Sequence, residues 1–350
     1  RSHYYCPQIL CILYIDGIQS FASSDVPLKG KLMVIQPSCF SLLFVSVLWV
    51  LGATHSSAQN YPTKPIRLVV SNSPASLPDV IARVMSPEMS KTLGQPLVVE
   101  NRPSAGSILG YEYVAKQVAP DGYNLVSVLV AELAIMPLTV KELRFDPLRD
   151  LPPLIGVGEA SLVIGSASRL PWKTFQELAA NAKANPGKLN YGASSPNFRL
   201  LAESLVRELG VNVVYVPYTG GSSYFQGLLS GDVQMGFLPE AIAASFGDKF
   251  RVLAVTRAQR RAPYMNVPTF KELGFSKILG NTYSLNLPVV VPKAISDQLF
   301  AAASLALKQQ GVRSGLEKVQ LDIVELTPAM AAKDLAEKAS IYADVAKKIG

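Results

Sequence analysis

Cysteine and histidine are scarce in this 350-residue sequence, which holds only three cysteines and two histidines. All five lie within the first 58 residues, at Cys6, Cys11, Cys39, His3 and His55. If that segment is removed, the rest of the chain has no thiolate nucleophile, no histidine base and no disulfide. A Ser-His-Asp triad and a zinc site are excluded on the same ground.

A short apolar run predicts that the first segment is a secretory signal peptide. The run at 40–51 follows Lys29 and Lys31 and precedes small residues that end at Ala58. It is shorter than the roughly 20 residues needed to cross a bilayer, so a retained membrane anchor is the weaker alternative. We therefore expect cleavage after Ala58 and export to the periplasm. The residues before Lys29 look like translated sequence upstream of the true start, and we expect no structural role for them.

Charged residues are also few, at 17% of the chain against 49% hydrophobic residues, a composition typical of a packed globular protein. Segment 1–58 contains three basic and two acidic residues, which leaves a net charge of +6 on the remainder. The basic residues are scattered and form no run, so nucleic-acid binding is the weaker reading of this charge. A general attraction for anionic ligands explains it more simply.

From residue 61 onwards, short β-branched runs alternate with helical patterns. The strand at 66–71 precedes a helix that begins with a capping-box pattern, Ser76 to Asp79, and ends at Gly94. The same βαβ rhythm starts again near residue 162, which predicts mainly parallel sheets flanked by helices.

The length and this restart predict two α/β lobes with a ligand cleft between them. We assign residues 61–162 and 286–350 to one lobe and residues 163–285 to the other, so that the chain crosses between the lobes twice. Closure about this hinge is expected to trap a ligand.

Four loops share one design, in which a strand ends, small or hydroxyl residues follow, and a helix begins. They lie at 71–79, 104–107, 192–197 and 219–223. Such loops direct main-chain N–H groups and the positive end of a helix dipole towards the carboxyl edge of a sheet, so a carboxylate is the predicted ligand. For any one loop, ordinary helix capping is the simpler explanation. Ser195-Pro196 is the clearest N-cap, so we expect Ser194 to face the ligand.

Other polar residues are weaker candidates. Asp79 can read a ligand hydroxyl, although completing the capping box is the simpler role. Glu240 can meet a ligand amine or a bridging water, with loop solvation as the alternative. Arg102 and Arg199 can bind a carboxylate bidentately, but each is more often a solvated surface residue.

Several motifs resemble those of the periplasmic receptors of tripartite tricarboxylate transporters, also called Bug or TctC-like receptors. The resemblance covers nearly all of 59–350. The matching motifs include Tyr-Pro-Thr-Lys-Pro-Ile-Arg-Leu-Val-Val at 61–70, Leu-Gly-Gln-Pro-Leu-Val-Val-Glu-Asn-Arg at 93–102, Ala-Pro-Asp-Gly-Tyr at 119–123 and Pro-Gly-Lys-Leu-Asn-Tyr-Gly at 186–192.

This resemblance implies a two-lobed binding protein that captures a small carboxylate and delivers it to integral-membrane transporter subunits. It implies no catalysis, and we expect no cofactor, no metal and a monomer. Carried over from the family, the first loop contributes Ser73, Pro74, Ala75, Ser76 and Asp79, and the facing loop contributes Ser194, Ser195 and Asn197. Thr219 and Glu240 complete the set of predicted ligand-binding residues.

Two departures from the family pattern affect the expected ligand. Pro74-Ala75-Ser76 stands where the family commonly has Pro-Gly-Gly, and Asn197-Phe198-Arg199 lacks the usual histidine. The added side chains restrict the loop, so the ligand is expected to differ in size from the common dicarboxylates. A di- or tricarboxylate, an aromatic acid and an amino acid all stay open. The alternatives are a receptor that signals to a membrane sensor and an enzyme that uses Asp79 with Glu240.

Overall fold

The structure is a computed structural model that describes residues 61–275 and 277–349. The expected signal peptide and the residues before it lie outside this part of the chain. Within the described residues, no helix has both the length and the apolar character needed to cross a membrane.

The strands follow the chain in the order β1 to β11. Their bounds are β1 Ile66–Val70, β2 Leu97–Asn101, β3 Asn124–Leu129, β4 Pro153–Ala160, β5 Leu162–Ala167, β6 Asn190–Ala193, β7 Val214–Pro217, β8 Gly236–Pro239, β9 Phe250–Val255, β10 Asn281–Asn286 and β11 Leu321–Leu326.

The helices lie between and after these strands. Their bounds are α1 Leu77–Leu93, α2 Ile108–Glu112, α3 Val130–Thr139, α4 Pro147–Asp150, α5 Phe175–Ala184, α6 Pro196–Leu209, α7 Gly221–Ser230, α8 Glu240–Ser245, α9 Lys293–Lys308, α10 Gln310–Lys318 and α11 Pro328–Ile349. Two 3-10 turns at Ala105–Ser107 and Gly247–Lys249 and a π-helical turn at Tyr113–Gln117 complete the described elements.

Six strands form one sheet in the order β11-β4-β10-β3-β1-β2. Strand β1 runs parallel to β2 and β3, whereas β10 runs antiparallel to β3 and β4, and β11 runs antiparallel to β4. The prediction of a mainly parallel sheet is therefore wrong for this sheet, which is mixed. The chain leaves it after Ala160 and returns at Asn281, directly opposite Ala160, so β10 runs back against β4.

The remaining strands form two smaller sheets. Strand β5 lies between β8 and β9 and is antiparallel to both, while β6 and β7 are parallel. The chain passes from the six-stranded sheet to these sheets at Ser161, between β4 and β5. It returns between Val255 and Asn281, so all of β10 belongs to the six-stranded sheet.

Hydrophobic side chains cover both faces of the six-stranded sheet, because successive residues of a strand point to opposite faces. In β1, Leu68 and Val70 pack with α1 and α9, whereas Val69 packs with α3 and α11. Leu200 of α6 joins the second of these clusters. Helix α6 thus contacts both groups of strands and lies where they meet.

Candidate functional site

The loop after β1 is shaped by Ala75, whose φ of 64° lies in the left-handed region. Ser76 occupies the N-cap of α1, but its side chain makes no capping hydrogen bond. The predicted capping box is therefore wrong. The amide of Ser76 donates to the Ser73 carbonyl at 3.2 Å, and Asp79 Oδ2 accepts instead from the amide of Ala75 at 3.0 Å. This turn leaves Ser76 Oγ buried and without a partner among the described residues.

Asp79 anchors this loop to the sheet. Its carboxylate is 2% exposed and accepts from Arg83 Nε at 2.9 Å and from Asn101 Nδ2 at 2.8 Å. Burial alone would raise the pKa of Asp79, but these hydrogen bonds and the one from Ala75 lower it overall. Its oxygens thus hold the loop against β2.

Three polar atoms at the end of β1 are buried without a hydrogen-bond partner among the described residues: Ser71 Oγ, Asn72 Oδ1 and Ser76 Oγ. Buried polar atoms are almost always paired, so each of these three atoms can still accept or donate a hydrogen bond to a ligand. Ser73 and Ala75 at the tip of the same loop are exposed.

The facing loop starts α6 as the sequence predicts. Ser195 is the N-cap, its Oγ accepts from the amide of Phe198 at 3.3 Å, and Pro196 is the first helical residue. The amide of Arg199 donates to the carbonyl of Ser195. The main-chain N–H of Asn197 is then the first-turn donor that remains for a ligand, because proline has none. Ser194 is half-buried beside it.

The side chain of Asn197 binds other parts of the protein, whereas its main-chain N–H remains for a ligand. Its Nδ2 donates to Asn281 Oδ1 at 3.0 Å, and its Oδ1 accepts from the Tyr342 hydroxyl at 3.0 Å. Asn281 lies in β10 and Tyr342 in α11, so this buried amide ties α6 to the six-stranded sheet and its last helix.

Glu240 and Thr219 lie in very different surroundings. The Glu240 carboxylate is buried at the start of α8 and accepts from both Nε and Nη2 of Arg257, at 2.7 and 2.9 Å. Arg257 Nη1 also donates to Asp322 of β11 at 2.5 Å, which links the smaller sheets to the larger one. Thr219 is exposed after β7.

Two cavities flank Asn281 where the groups of strands meet. The first, of about 320 Å³, is called the Glu132 cavity, and it is lined by Gly106, Leu129, Glu132, Ile135, Met136, Thr139, Val140, Ser195, Pro196, Asn197, Phe198 and Asn281. The second, of about 390 Å³, is called the Glu240 cavity, and it is lined by Ala75, Leu77, Val80, Ala160, Ser161, Leu162, Pro239, Glu240, Ala241, Ile242, Asn281, Tyr283, Val319 and Gln320.

Four of the nine predicted residues line these cavities: Ala75 and Glu240 line one, and Ser195 and Asn197 line the other. The other five predicted residues line neither cavity: Ser73, Ser76, Asp79, Ser194 and Thr219. Among the described residues that line the two cavities, none is a lysine or an arginine. A third cavity of about 530 Å³, among Pro152, Leu287, Phe300 and Pro328, contains none of the predicted residues.

The sequence analysis missed Glu132, which lies in the first turn of α3. Glu132 Oε2 accepts from Ser107 Oγ at 2.8 Å and from the Tyr111 hydroxyl at 3.4 Å. Ser107 in turn accepts from Asn72 Nδ2 at 3.0 Å, which connects Glu132 to the end of β1. Burial raises the pKa of Glu132, and hydrogen bonds from Ser107, Asn72 and Tyr111 offset only part of that effect.

Gln320 is a second missed residue. It lies just before β11 and lines the Glu240 cavity, and its Oε1 is buried without a partner among the described residues. A glutamine between a helix and a strand carries no local signal of this role.

These sheets, with a cleft between them, define a two-lobed α/β binding protein of the periplasmic-binding-protein type. The fold class predicted from the sequence is confirmed, apart from the strand directions. A solved structure described as a periplasmic transporter is 32% identical and matches with a TM-score of 0.67 over 83% of this chain and 98% of its own. MatC of Rhodopseudomonas palustris, solved with bound malate, is 27% identical with a TM-score of 0.65, over 82% of this chain and all (100%) of its own.

The sequence comparisons give the family. Residues 81–350 match the tripartite tricarboxylate transporter family receptor, and the chain belongs to this family. A protein of Cupriavidus necator described as "UPF0065 protein in gbd 5'region" is 33% identical over 84% of this chain and 90% of its own length. Protein BugT of Bordetella pertussis is 28% identical over 84% of this chain and 92% of its own length. The resemblance stated from the motifs is confirmed.

Proposed function

We propose that this chain is a non-catalytic receptor that binds a small organic carboxylate in its cleft and delivers it to transporter subunits in the membrane. The family of receptors to which the chain belongs supports this proposal. MatC, a relative of the same fold, was solved with a carboxylate, malate.

The observation that carries the proposal is that a few hydroxyl and amide groups interrupt the mainly apolar lining of the two cavities, with no lysine or arginine among the described residues that line them. The proposed contacts are Ser73, Ala75, Ser76, Ser194, Ser195 and the main chain of Asn197. Asp79, the Asn197 side chain and Glu240 are occupied by protein partners and hold these contacts in place. This division also disfavours an enzyme that uses Asp79 with Glu240, since both carboxylates are already paired.

Hydroxyl and amide donors suffice for useful affinity. A hydrogen bond to a charged group contributes about 1.5–3 kcal/mol, and a dissociation constant of about 1 µM requires about 8 kcal/mol. Four or five such contacts reach this value after the entropy of binding and closure is subtracted. An arginine clamp is therefore not needed.

The division into lobes is part of the proposal. The boundary predicted at residue 285 would cut through β10, so we propose that residues 61–160 and 281–350 move against residues 161–280. The hinges would lie near Ser161 and in the segment that leads to β10. The proposal also includes export to the periplasm, with cleavage of the signal peptide after Ala58. The intact mass of the protein recovered from the periplasm tests the cleavage site directly, and a mature chain that begins at Gln59 is expected.

A thermal-shift screen of the purified protein against mono-, di- and tricarboxylates and amino acids tests the binding function. A ligand at a hundred times its dissociation constant stabilises the folded protein by about 2.7 kcal/mol. Ser76→Leu and Ser194→Leu should abolish the shift, because leucine removes the hydroxyl group and fills the space that we propose for the ligand carboxylate. Thr92→Leu, at an exposed position near the C-terminal end of α1, is the control and should leave the shift unchanged. A shift that survives both of the first two variants would place the ligand elsewhere.

A further inference from the structure

The Glu132 cavity has an apolar wall with one ionisable group in it. Its apolar lining comes from α3 and α6 and includes Ile135, Met136 and Phe198. Among the described residues that line it, Glu132 is the one acidic or basic side chain. A cavity of this kind fits a ligand with a hydrocarbon body. Its one ionisable group can discriminate between ligands that carry different polar groups at one end.

In the part of the chain that the structure describes, the hydrogen-bond partners of the Glu132 carboxylate are neutral. Ser107 and Tyr111 both donate to Oε2, and neither of them donates to Oε1. Hydroxyl donors stabilise a carboxylate but do not neutralise it, so negative potential remains in the cavity. A second carboxylate placed here would meet a like charge in a poorly solvated site, whereas an ammonium group would form a charge-assisted pair.

The anion position and Glu132 face the same cavity. Ser195 and Asn197 at the start of α6 line it, and so does Glu132. A hydrogen-bonded path runs from Asn72, at the end of β1, through Ser107 to the same carboxylate. One extended ligand can therefore contact an anion site and Glu132 together.

We infer that Glu132 sets the ligand class: the receptor takes a monocarboxylate that carries an ammonium group and rejects compounds whose second group is an ionised carboxylate. This inference rests on the proposed function, since it assumes that the cleft binds one carboxylate. Glu132 acts as a specificity-determining residue, so the ligand is expected to differ from malate, the dicarboxylate bound to MatC.

The pKa of Glu132 supports the assignment. Burial has already raised this pKa, so a nearby second carboxylate raises it further and draws a proton from solvent, while an ammonium group lowers it. Among the described residues, burial and then the Glu132 charge raise the pKa of Tyr111 in α2 and of Tyr283 in β10. Both tyrosines therefore stay protonated at neutral pH, and a proton taken up or released on binding reports on Glu132.

The test is isothermal titration calorimetry of the purified protein with pairs of equal chain length at about pH 7.5, where free carboxylates are ionised. The pairs are malonate with β-alanine, succinate with 4-aminobutyrate, glutarate with 5-aminopentanoate, and adipate with 6-aminohexanoate. At the chain length that binds best, the amino acid should bind at least about tenfold more tightly than its dicarboxylate partner.

Glu132→Gln should reduce this preference by about ten- to a hundredfold, because glutamine keeps the hydrogen-bond acceptor and removes the charge. Glu142→Gln, an equal change of charge at an exposed position nearby, is the matched control and should leave the preference unchanged. Titration of the wild-type protein in buffers of different ionisation enthalpy needs no variant. Any dicarboxylate that binds should take up protons, and the amino acid should not.

The outcomes distinguish a failure of the role proposed for Glu132 from a failure of the proposed function. Dicarboxylates that bind as tightly as their amino-acid partners, with no proton uptake and no effect of Glu132→Gln, would overturn the role of Glu132 and leave the proposed function intact. If no member of either series binds but another carboxylate of the thermal-shift screen does, this inference fails and the proposed function stands. If no carboxylate of the screen binds, the proposed function fails, and this inference fails with it.

Discussion

Two glutamates line the cavities that flank Asn281, and the protein gives them different partners: Glu240 is buried and Glu132 is half-buried. Each lies in the first turn of a helix that directly follows a strand, Glu132 after β3 and Glu240 after β8. Glu240 is paired with Arg257 through two hydrogen bonds, and the two side chains are 3% and 5% exposed. Glu132 has hydroxyl donors but no ion pair among the described residues.

This difference distinguishes a carboxylate whose charge is paired within the protein from one whose charge can act on a ligand. A buried carboxylate that is matched by a guanidinium is costly to disturb and has little capacity left for a ligand. A buried carboxylate with neutral partners retains its field and acts on whatever enters the cavity. Helix position alone therefore does not indicate function, and the decisive factor is the partner that the fold brings to each carboxylate.

The largest expected effect is the loss of the Glu240 partner. Arg257→Met should lower the free energy of unfolding by about 3–5 kcal/mol, because it leaves a buried carboxylate without a cation. It also removes the link to Asp322 of β11. Urea denaturation followed by circular dichroism measures the change.

Two further variants sharpen this comparison. Arg260→Met removes a solvent-exposed pair with Glu272 and should cost no more than about 1 kcal/mol. The double variant Glu240→Gln with Arg257→Met should recover part of the lost stability, since no unpaired charge then remains. A loss of less than about 1 kcal/mol in Arg257→Met would contradict the structural role of the pair.

The next effect concerns the tie between α6 and the six-stranded sheet. Asn197→Ala should cost about 1–3 kcal/mol in unfolding free energy, because Asn281 and Tyr342 each lose a buried partner. Tyr342→Phe removes only one of these bonds and should cost less. If Asn197→Ala instead abolishes ligand binding at unchanged stability, the side chain is a ligand contact, as the family resemblance implies.

Much of the local structure is predictable from the sequence. The strand at Ile66–Val70, the helix at Leu77–Leu93 and the αL residue Gly94 that ends it follow from apolar periodicity and from glycine. The N-cap at Ser195 with Pro196 follows from a dipeptide. These features depend on residues that are neighbours in the chain, so their signals are local.

The pairing of strands and charges is not local. The antiparallel direction of β10 depends on the chain returning opposite Ala160, after an excursion through the smaller sheets. The role of Glu240 depends on Arg257 and Asp322, which are distant in sequence. No sequence motif predicts such long-range contacts. The sequence therefore identifies Glu240 as a candidate residue but does not identify its partner.

Glu132 was missed for a different reason. Helix α3 is buried over most of its length, so it lacks the polar face that makes a helix recognisable from periodicity. An acidic residue inside an apolar segment that follows a predicted strand is the signal that would have found it. A lone glutamate with hydrophobic neighbours must be paired, hydrogen-bonded or functional.

A smaller effect distinguishes the two serine N-caps of the cleft. Ser195→Ala should lower the unfolding free energy by about 1 kcal/mol, because its hydroxyl caps α6. Ser76→Ala should change it by less than about 0.5 kcal/mol, since its hydroxyl has no partner among the described residues. The two variants should show the opposite order in ligand affinity. A cost for Ser76→Ala equal to that of Ser195→Ala would show that its hydroxyl stabilises the helix after all.

The smallest expected effect is a pH dependence that belongs to Glu132 alone. Because burial raises the pKa of Glu132, the folded protein holds this proton to higher pH than the unfolded chain does. At pH values below the pKa of Glu132 in the unfolded chain, the unfolding free energies of wild type and Glu132→Gln should change with pH in the same way. As the pH rises through the folded pKa, the wild type should lose stability relative to the variant, and the difference should then stay constant. Urea denaturation of both proteins across this range measures the difference, and Glu142→Gln provides the baseline. A difference of the opposite sign would mean that a cation compensates Glu132, and the contrast with Glu240 would then disappear.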